Sequence, residues 1–473
     1  MTPEGSLPLR RDPRLPTRAL SGWGRCLVET CSVARPTDVG RLAELVAGGR
    51  SDPDREPGPP DWIPRGLGRA YGDSSLNAGG GVLDLTRLDR LLAFDPETGV
   101  LECEAGVSLA DVIATFLPRG FFLHTSPGTK HVTVGGAIAA DVHGKNHHHD
   151  GSFRACVRSL RLLLADGSLV ECSPAERGDL FDATVGGMGL TGVIVSARIR
   201  LRRQPTAYYR VRYRRTTNLD AALEAFAESD ASYRYSVAWI DCLARGAHLG
   251  RSVLMLGRDA EVADLPPARR AEPLRVAPVW RPSVPVPLPG VALNPLTVRA
   301  FNAAFWARHR DGERTEDFDR YWYPLDRVGG WNRIYGARGF VQYQAWLPRA
   351  SSRAGLVELL EAISASRRAS FLAVLKACGP ANASPLSYLD TGHTLALDLP
   401  YGDDVPALFD RLDAILLRHG GRLYLAKDAL TSPERFAAMY PRLEAWRKVK
   451  EAVDPGRRFA SSQARRLGLV EAR

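Results

Sequence analysis

The sequence predicts an α+β fold in two parts, and three observations carry that expectation. Short strand-like runs follow one another with isolated helices between them, three glycine-rich turns fall inside residues 65–193, and the pattern changes character near Arg203. The length agrees, since 473 residues suit two domains or one large domain with an insertion. No internal repeat is present.

The elements follow in order. Residues 1–20 are rich in proline and arginine and are expected to be ordered where they touch the body. Ser51–Pro64 reads as a loop leading into Arg65–Asp73, RGLGRAYGD. Val82–Leu85 and Val100–Ala105 read as strands, with a turn at Asp95–Gly99. Ser108–Leu117 reads as a helix, because Ser108 suits an N-cap and Leu109, Val112, Ile113 and Phe116 share one face. Val157–Val170 gives two strands turning at Asp166-Gly167, then a helix at Glu176–Val185 and a strand at Gly192–Leu201. Beyond Arg203 come strands at Tyr208–Arg214 and Tyr233–Ile240 around a helix at Leu219–Ser229. Pro266–Pro295 holds too many prolines for a regular helix or central strand and reads as a mobile flap or surface excursion. Trp331–Leu347 and Phe371–Leu375 read as sheet, with a helix at Ala354–Ser366 between them. Val405–His419 is amphipathic and closes on Gly420-Gly421; the tail adds a strand, a helix at Pro433–Val453 and DPGRRF.

Composition excludes several classes. With 45% hydrophobic and 25% charged residues the chain is an ordinary globular protein. Its net charge of +10 comes from scattered arginines and lysines, without the aromatic interleaving of a nucleic-acid surface. That leaves a solvated basic surface, with anionic lipid headgroups or phosphorylated substrates as partners. Seven cysteines without a CxxC pair read as reduced, buried thiols, which favours the cytoplasm. The arginine-rich start has no apolar stretch after it and no run is long enough to span a bilayer, so any membrane contact is peripheral, at the inner face.

Chemistry concentrates in Ser126–Asp150, SPGTKHVTVGGAIAADVHGKNHHHD. Its small residues bare the backbone to a flat or anionic ligand, and His143 and Lys145 follow at the edge. Gly66-Leu67-Gly68-Arg69-Ala70-Tyr71-Gly72 superficially resembles a dinucleotide fingerprint. It lacks the required context, because Pro64 precedes it and no helix opens on its last glycine. A non-Rossmann pyrophosphate loop and a plain structural turn both remain; the third turn is Val185–Val193, VGGMGLTGV. The run His147-His148-His149 is no metal site on an extended chain, where neighbours point to opposite sides. Lys376 and Lys427 follow apolar runs, as strand-end surface residues or as buried ammonium groups with depressed pKa. Gln342 and Gln344 share one strand face, suited to sugar hydroxyls or to solvent.

Together these motifs resemble flavin-dependent oxidases of the vanillyl-alcohol-oxidase type, and within them the decaprenylphosphoryl-β-D-ribose 2′-oxidase family. RGLGRAYGD, PGTKHVTVGGAIAADVHGKNHH, ATVGGMGLTG, WNRIYG, GFVQYQ, FLAVLK, GGRLYLAKD and DPGRRFASS match in order, from Gly22 to about Leu467. The resemblance implies an FAD-binding domain in two pieces, residues 1–205 and 421–473. A substrate domain with an antiparallel sheet, 206–420, is inserted between them and carries the proline-rich flap near 263–300. It places FAD against Arg65, Gly66, Leu67, Gly68, Arg69, Ala70, Tyr71, Gly72, Asp73 and Ser74 of the first loop. Gly128, Thr133, Val134, Gly135, Gly136, Ala140, Asp141, Val142 and His143 follow from the second, with Val193, Ile194 and Tyr424. Arg69 stands where covalent relatives carry a histidine, so FAD is expected to be non-covalent.

The implied reaction is hydride transfer from ribose C2′ to flavin N5, giving a keto sugar that an NADH-dependent short-chain reductase converts to the arabinose form for cell-wall arabinan. The substrate is a lipid-linked sugar phosphate and the electron acceptor dioxygen or a quinone. Lys427 orients or deprotonates the hydroxyl, with His143 and Tyr71 next; Lys145, Trp239, Trp322, Gln342, Gln344, Lys376, Thr394 and Ala396 shape the substrate site. Lys145 or Lys376 would hold the phosphate. The chain departs from the family where Ala396 replaces a cysteine, Thr394 an asparagine and Trp322-Tyr323 an aromatic-histidine pair. These departures leave open an oxidase of a soluble sugar, aminocyclitol or nucleoside.

Overall fold

The computed structural model describes residues 15–47, 61–277, 280–289, 293–368 and 370–470. Among these, β1 (Thr17–Ser21), β2 (Val28–Ala34), β3 (Trp62–Arg65) and β4 (Gly81–Asp84) form a sheet of order β1-β2-β4-β3, with β2 and β3 parallel to β4. Next come β5 (Leu91–Asp95), β6 (Val100–Glu104), the short β7 (Phe121–Phe122), β8 (Val157–Leu163), β9 (Leu169–Cys172), β10 (Val193–Arg200) and the short β11 (Arg202–Arg203). Five of them make the antiparallel sheet β5-β6-β10-β8-β9, while β7 and β11 pair with each other.

The remaining strands are β12 (Tyr208–Thr216), β13 (Tyr235–Ile240), β14 (Ser252–Asp259), β15 (Gly312–Asp317), β16 (Phe340–Pro348), β17 (Ala373–Cys378), β18 (Gly392–Pro400) and β19 (Arg422–Leu423). They build one eight-stranded antiparallel sheet of order β15-β12-β14-β13-β17-β18-β16-β19. Strand alternation divides this sheet cleanly. Val341, Tyr343, Ala345, Leu375, Leu395 and Leu397 face the helices Arg349–Ser366 and Val405–Arg418, whose Leu356, Leu360, Ile363, Leu412 and Leu416 complete the core. The polar residues between them are left for the opposite face.

Local rules account for much of this. Ser108 caps the helix Leu109–Phe116 by accepting the Asp111 N–H, and its four apolar residues are buried as expected. Leu219–Ser229 is helical as expected, capped by Asn218.

Elsewhere the structure corrects the reading. Trp62–Arg65 is a strand rather than loop; Pro64 is tolerated because β3 lies at the sheet edge, and residues 51–60 lie outside the described ones. A strand therefore does precede the first glycine loop, but turns and not a helix follow it. Trp331–Tyr335 is a helical turn between Gly330 and Gly336, both at positive φ, so the aromatic residues there do not extend β16. Pro433–Val453 is two helices, Pro433–Met439 and Leu443–Val453, because Pro441 lacks an N–H and forces Tyr440 out of the helical region. The histidine run is a helical turn, His147–Asp150, instead of extended chain. Val134–Ala139 is a short helix where glycine spacing gave no helical signal, and Pro295 opens the unanticipated helix Pro295–Arg308.

The tail then fastens the glycine turns. Arg466 donates to both carboxylate oxygens of Asp73 (2.9 and 2.7 Å), to Asp428 (2.8 Å) and to the Thr431 carbonyl (2.8 Å). Gln463 donates to the Leu425 carbonyl, Lys450 to the Leu190 carbonyl and Trp446 Nε1 to the Ala183 carbonyl. The first turn, the third turn and the Lys427 segment are thereby held by one short stretch of chain. Asp73 and Asp428 are almost fully buried, so removing the arginine strands two carboxylates. Arg466→Leu should cost about 3–5 kcal/mol in urea unfolding, a loss that neither Arg447→Leu nor another exposed arginine should reproduce.

Candidate active site

The three glycine turns converge. A Cβ on Gly66 would collide with the Thr133 hydroxyl, and one on Gly72 with the Asp428 carbonyl. Thr133 caps the helix Val134–Ala139 through the Gly136 N–H (3.1 Å), and the Gly186 and Met188 N–H groups donate to Ile138 and Ala139 at its far end. Gly135 is packed against Ala105, whereas Gly128 and Gly136 are exposed and Gly128 has open space around its Cα. The result is a cradle of bare backbone from three segments, suited to a flat ligand carrying phosphates.

Beside it lies the polar face of the large sheet. Trp239 pairs with Val374, Val374 with Ala396 and Ala396 with Gln344, forming one row across β13, β17, β18 and β16. A second row sets Lys376 beside Thr394, and a third sets Asp398 beside Gln342. Tyr71 and Lys427 are brought over this face because the Tyr71 N–H donates to the Ala426 carbonyl (2.9 Å). Lys427 Nζ sits 3.4 Å from the centroid of the Tyr71 ring. His143 enters from the second glycine segment: Gln344 Nε2 faces its Nε2 at 3.1 Å and Tyr388 Oη at 3.4 Å. The Gln344 amide donates there, so the neutral ring carries its proton on Nδ1, which is buried without a partner among the described residues. Tyr424 stacks on Tyr388 at 4.6 Å and donates to the Ala140 carbonyl.

The electrostatics are unusual. Burial lowers Lys427 to about 7, aided by Lys376 and opposed by Asp398. Burial likewise lowers Lys145 to about 7 and Lys376 to about 8, and holds His143 well below the usual imidazole range. Asp398 moves the other way, up to about 7, despite the Gln342 amide and the Tyr335 hydroxyl that donate to it. Lys145 donates to the Tyr321 carbonyl and lies 4.1 Å from that ring's centroid.

Other expected site residues hold the walls. Arg65 donates to Ser21 and Ser75, and Arg69 packs 3.9 Å over Trp23, whose N–H donates to the Ala70 carbonyl. Gly68 is left-handed at φ 64°, Leu67 is exposed and Ser74 buried. Asp73 is taken by Arg466, and Asp141 accepts from Asn382, Ser387 and the Arg154 N–H. Val134, Val142, Val193 and Ile194 bury their side chains in the core. Trp322 lies in the aromatic core with Tyr209 and Tyr235, 5.9 Å from Lys145 Nζ and behind it. His147 accepts from the Gly379 N–H and His148 bonds the Tyr233 carbonyl; among the described residues no His, Cys, Asp or Glu group is arranged for a metal.

Sequence reasoning missed Asp398, Tyr335 and Tyr388. The signal for Asp398 was present: it is the one acidic residue in HTLALDLP and shares parity with Thr394 and Ala396.

A family model described as FAD binding domain matches residues 55–173, and one described as D-arabinono-1,4-lactone oxidase matches residues 394–467. A decaprenylphosphoryl-beta-D-ribose oxidase of Mycolicibacterium smegmatis is 38% identical over 458 residues, covering 96% of this chain and 98% of the relative. The chain belongs to the decaprenylphosphoryl-β-D-ribose oxidase family. An uncharacterised protein of Streptomyces coelicolor is 34% identical over 375 residues, 77% of this chain and all of the relative. An L-gulonolactone oxidase of Mus musculus is 28% identical over 167 residues, 35% of this chain and 36% of the relative. The α+β fold, the FAD cofactor and the class of FAD-dependent oxidoreductase acting on a sugar follow from this membership.

The cradle and the unpartnered His143 Nδ1 fit such a cofactor. Asp398 acts on Lys427 through charge, so Asp398→Asn should lower the Lys427 pKa and, if the neutral Lys427 amine serves turnover, move the acid limb of the kcat–pH profile to lower pH. Stopped-flow reduction across pH 5–9 checks this (about that range brackets the titration); an unmoved limb would separate Asp398 from Lys427.

Proposed function

We propose that this protein oxidises C2′ of a polyprenylphosphoryl-β-D-ribose to the 2′-keto sugar, as the oxidase half of an epimerisation completed by an NADH-dependent reductase. The observation that carries the reading is the trio of buried ammonium groups, Lys145, Lys376 and Lys427, beside the amide and hydroxyl groups of one sheet face, with Asp398 near Lys427 and Glu316 near Lys145. Three such groups destabilise one another until an anion joins them, which suits a phosphodiester; the paired glutamines suit a sugar.

In this reading FAD lies along the backbone of residues 66–74, 133–136 and 140–143, under Tyr424, with Gly128 and the Val193–Ile194 strand at its margin. Bound there, FAD supplies the acceptor for the hydrogen and electron pair that leave the sugar carbon. Arg69, engaged with Trp23, leaves this position without a nucleophile for attachment, so the cofactor is non-covalent. Lys427 Nζ, as the neutral amine, accepts the hydroxyl proton. Gln342 and Gln344 orient the ring hydroxyls, and His143 Nδ1–H supplies a fixed donor. Lys145 and Lys376, protonated, hold the phosphate, with Trp239 along the wall. Thr394 and Ala396 form the floor.

Anaerobic mixing with a polyprenylphosphoryl ribose should bleach the bound flavin, while free ribose, aminocyclitols and nucleosides should not. Bleaching by soluble sugars alone would replace this substrate with one of them. Lys427→Ala should retain flavin and lose about 10²–10⁴-fold in turnover. For the phosphorylated substrate kcat/KM should follow a narrow bell: it rises as Lys427 loses its proton near pH 7 and falls as Lys145, from about 7, and then Lys376, near 8, lose theirs. Acid precipitation should release all yellow colour into the supernatant, and colour held in the pellet would contradict non-covalent binding.

A further inference from the structure

Five of the eleven exposed large apolar side chains among the described residues lie between positions 280 and 301: Trp280, Val286, Leu288, Leu296 and Phe301. Trp280 is 83% exposed and Leu296 77%, values expected of side chains that nothing in the fold covers. The helix Pro295–Arg308 explains part of this. It buries Val298 and Asn302, and Asn302 is consumed by a hydrogen bond to Asp241 (2.7 Å). Its outward positions Leu296, Ala300, Ala303, Ala304 and Ala307 are apolar as well, so the helix is apolar nearly all round yet lies on the surface.

The charges here are one-sided. From Pro273 to Arg310 the chain has five arginines and no acidic residue. Arg275 and Arg281 are matched by Glu272 and Asp319, whereas Arg299, Arg308 and Arg310 make no ion pair among the described residues. The proline-rich strip that precedes the helix in the chain is held in place: Arg333 donates to the Val284 and Pro285 carbonyls (3.0 and 2.9 Å), and the Leu288 N–H donates to the Arg333 carbonyl.

The surface is also continuous with the site. Phe301 contacts Phe371 at 5.8 Å and Phe305 at 5.9 Å; Phe305 packs on Trp239 at 4.5 Å; Phe371 stacks on Tyr335 at 5.5 Å, and Tyr335 donates to Asp398. An aromatic wall thus runs from the exposed patch to the polar floor.

We propose that the face formed by residues 280–289 and the helix Pro295–Arg308 docks on an anionic lipid bilayer, seating Trp280, Val286 and Leu296 in the headgroup boundary. A bilayer fits better than a protein partner, because exposed tryptophan and aliphatic side chains beside unmatched arginines, with no acid among them, are the composition of an interfacial membrane segment. The docking stands on the surface itself; that it delivers a lipid-linked sugar along the aromatic wall rests on the proposed substrate.

The test is co-sedimentation of the full-length holoenzyme with phosphatidylcholine vesicles, with and without phosphatidylglycerol. Wild type should bind the anionic vesicles, and added salt should weaken the binding. Trp280→Asp combined with Leu296→Asp should reduce the bound fraction at least about tenfold. Arg299→Glu with Arg308→Glu should remove the preference for phosphatidylglycerol. The apolar pair should also slow oxidation of vesicle-borne substrate while leaving a detergent-free short-chain analogue unaffected. No vesicle binding by wild type, or binding unchanged in the apolar pair, overturns the proposal, as does light scattering that shows a dimer broken by the same pair while vesicle binding persists. Vesicle binding that persists when no polyprenyl sugar is oxidised retains the docking and removes the substrate reading.

Discussion

The site depends on one half-buried arginine. Arg466 bridges Asp73, next to the first glycine loop, and Asp428, next to Lys427, and thereby joins two carboxylates far apart in the chain. It reinforces a direct packing of the two segments, in which the Tyr71 N–H donates to the Ala426 carbonyl and Gly72 lies against the Asp428 carbonyl. The arrangement is costly to break and not inherently strong: the charges are stabilising because they are matched, and each alone would be a burden in the interior.

The same logic explains why the polar floor sits where it does. Alternation along β16, β17 and β18 sends leucine and valine to the helices and amide, hydroxyl and carboxylate groups to the other side. The helix-packed side stabilises the sheet, which lets the polar side tolerate three desolvated ammonium groups. Lys145, Lys376 and Lys427 lower the stability of the resting protein, and that cost is what makes their charge responsive to a ligand.

Much of this was legible in the residues. The capped helix at Leu109–Phe116, the helix Leu219–Ser229 and the paired glutamines follow from local rules that the tertiary structure leaves undisturbed. The errors fall where a single residue overrides a pattern, as Pro441 does in the tail and Gly330 and Gly336 do around Trp331. The grouping of the first two glycine segments around one ligand came with the family resemblance, whereas the clamp by Arg466 was not foreseen, since nothing local marks an arginine as the partner of distant carboxylates. Asp398 escaped for a different reason: a carboxylate in an apolar run reads as a surface position until its neighbours across the sheet are known.

The route of the chain has a consequence for how the protein is made. Arg466, Lys450 and Trp446 lie far along the sequence, yet they secure turns completed in its first two hundred residues. During synthesis the first turn must therefore wait, with the Asp73 carboxylate unmatched, until the segment that carries Arg466 has left the ribosome. The tie between Asp73 and Asp428 therefore forms late, and a chain released before Arg466 goes without it.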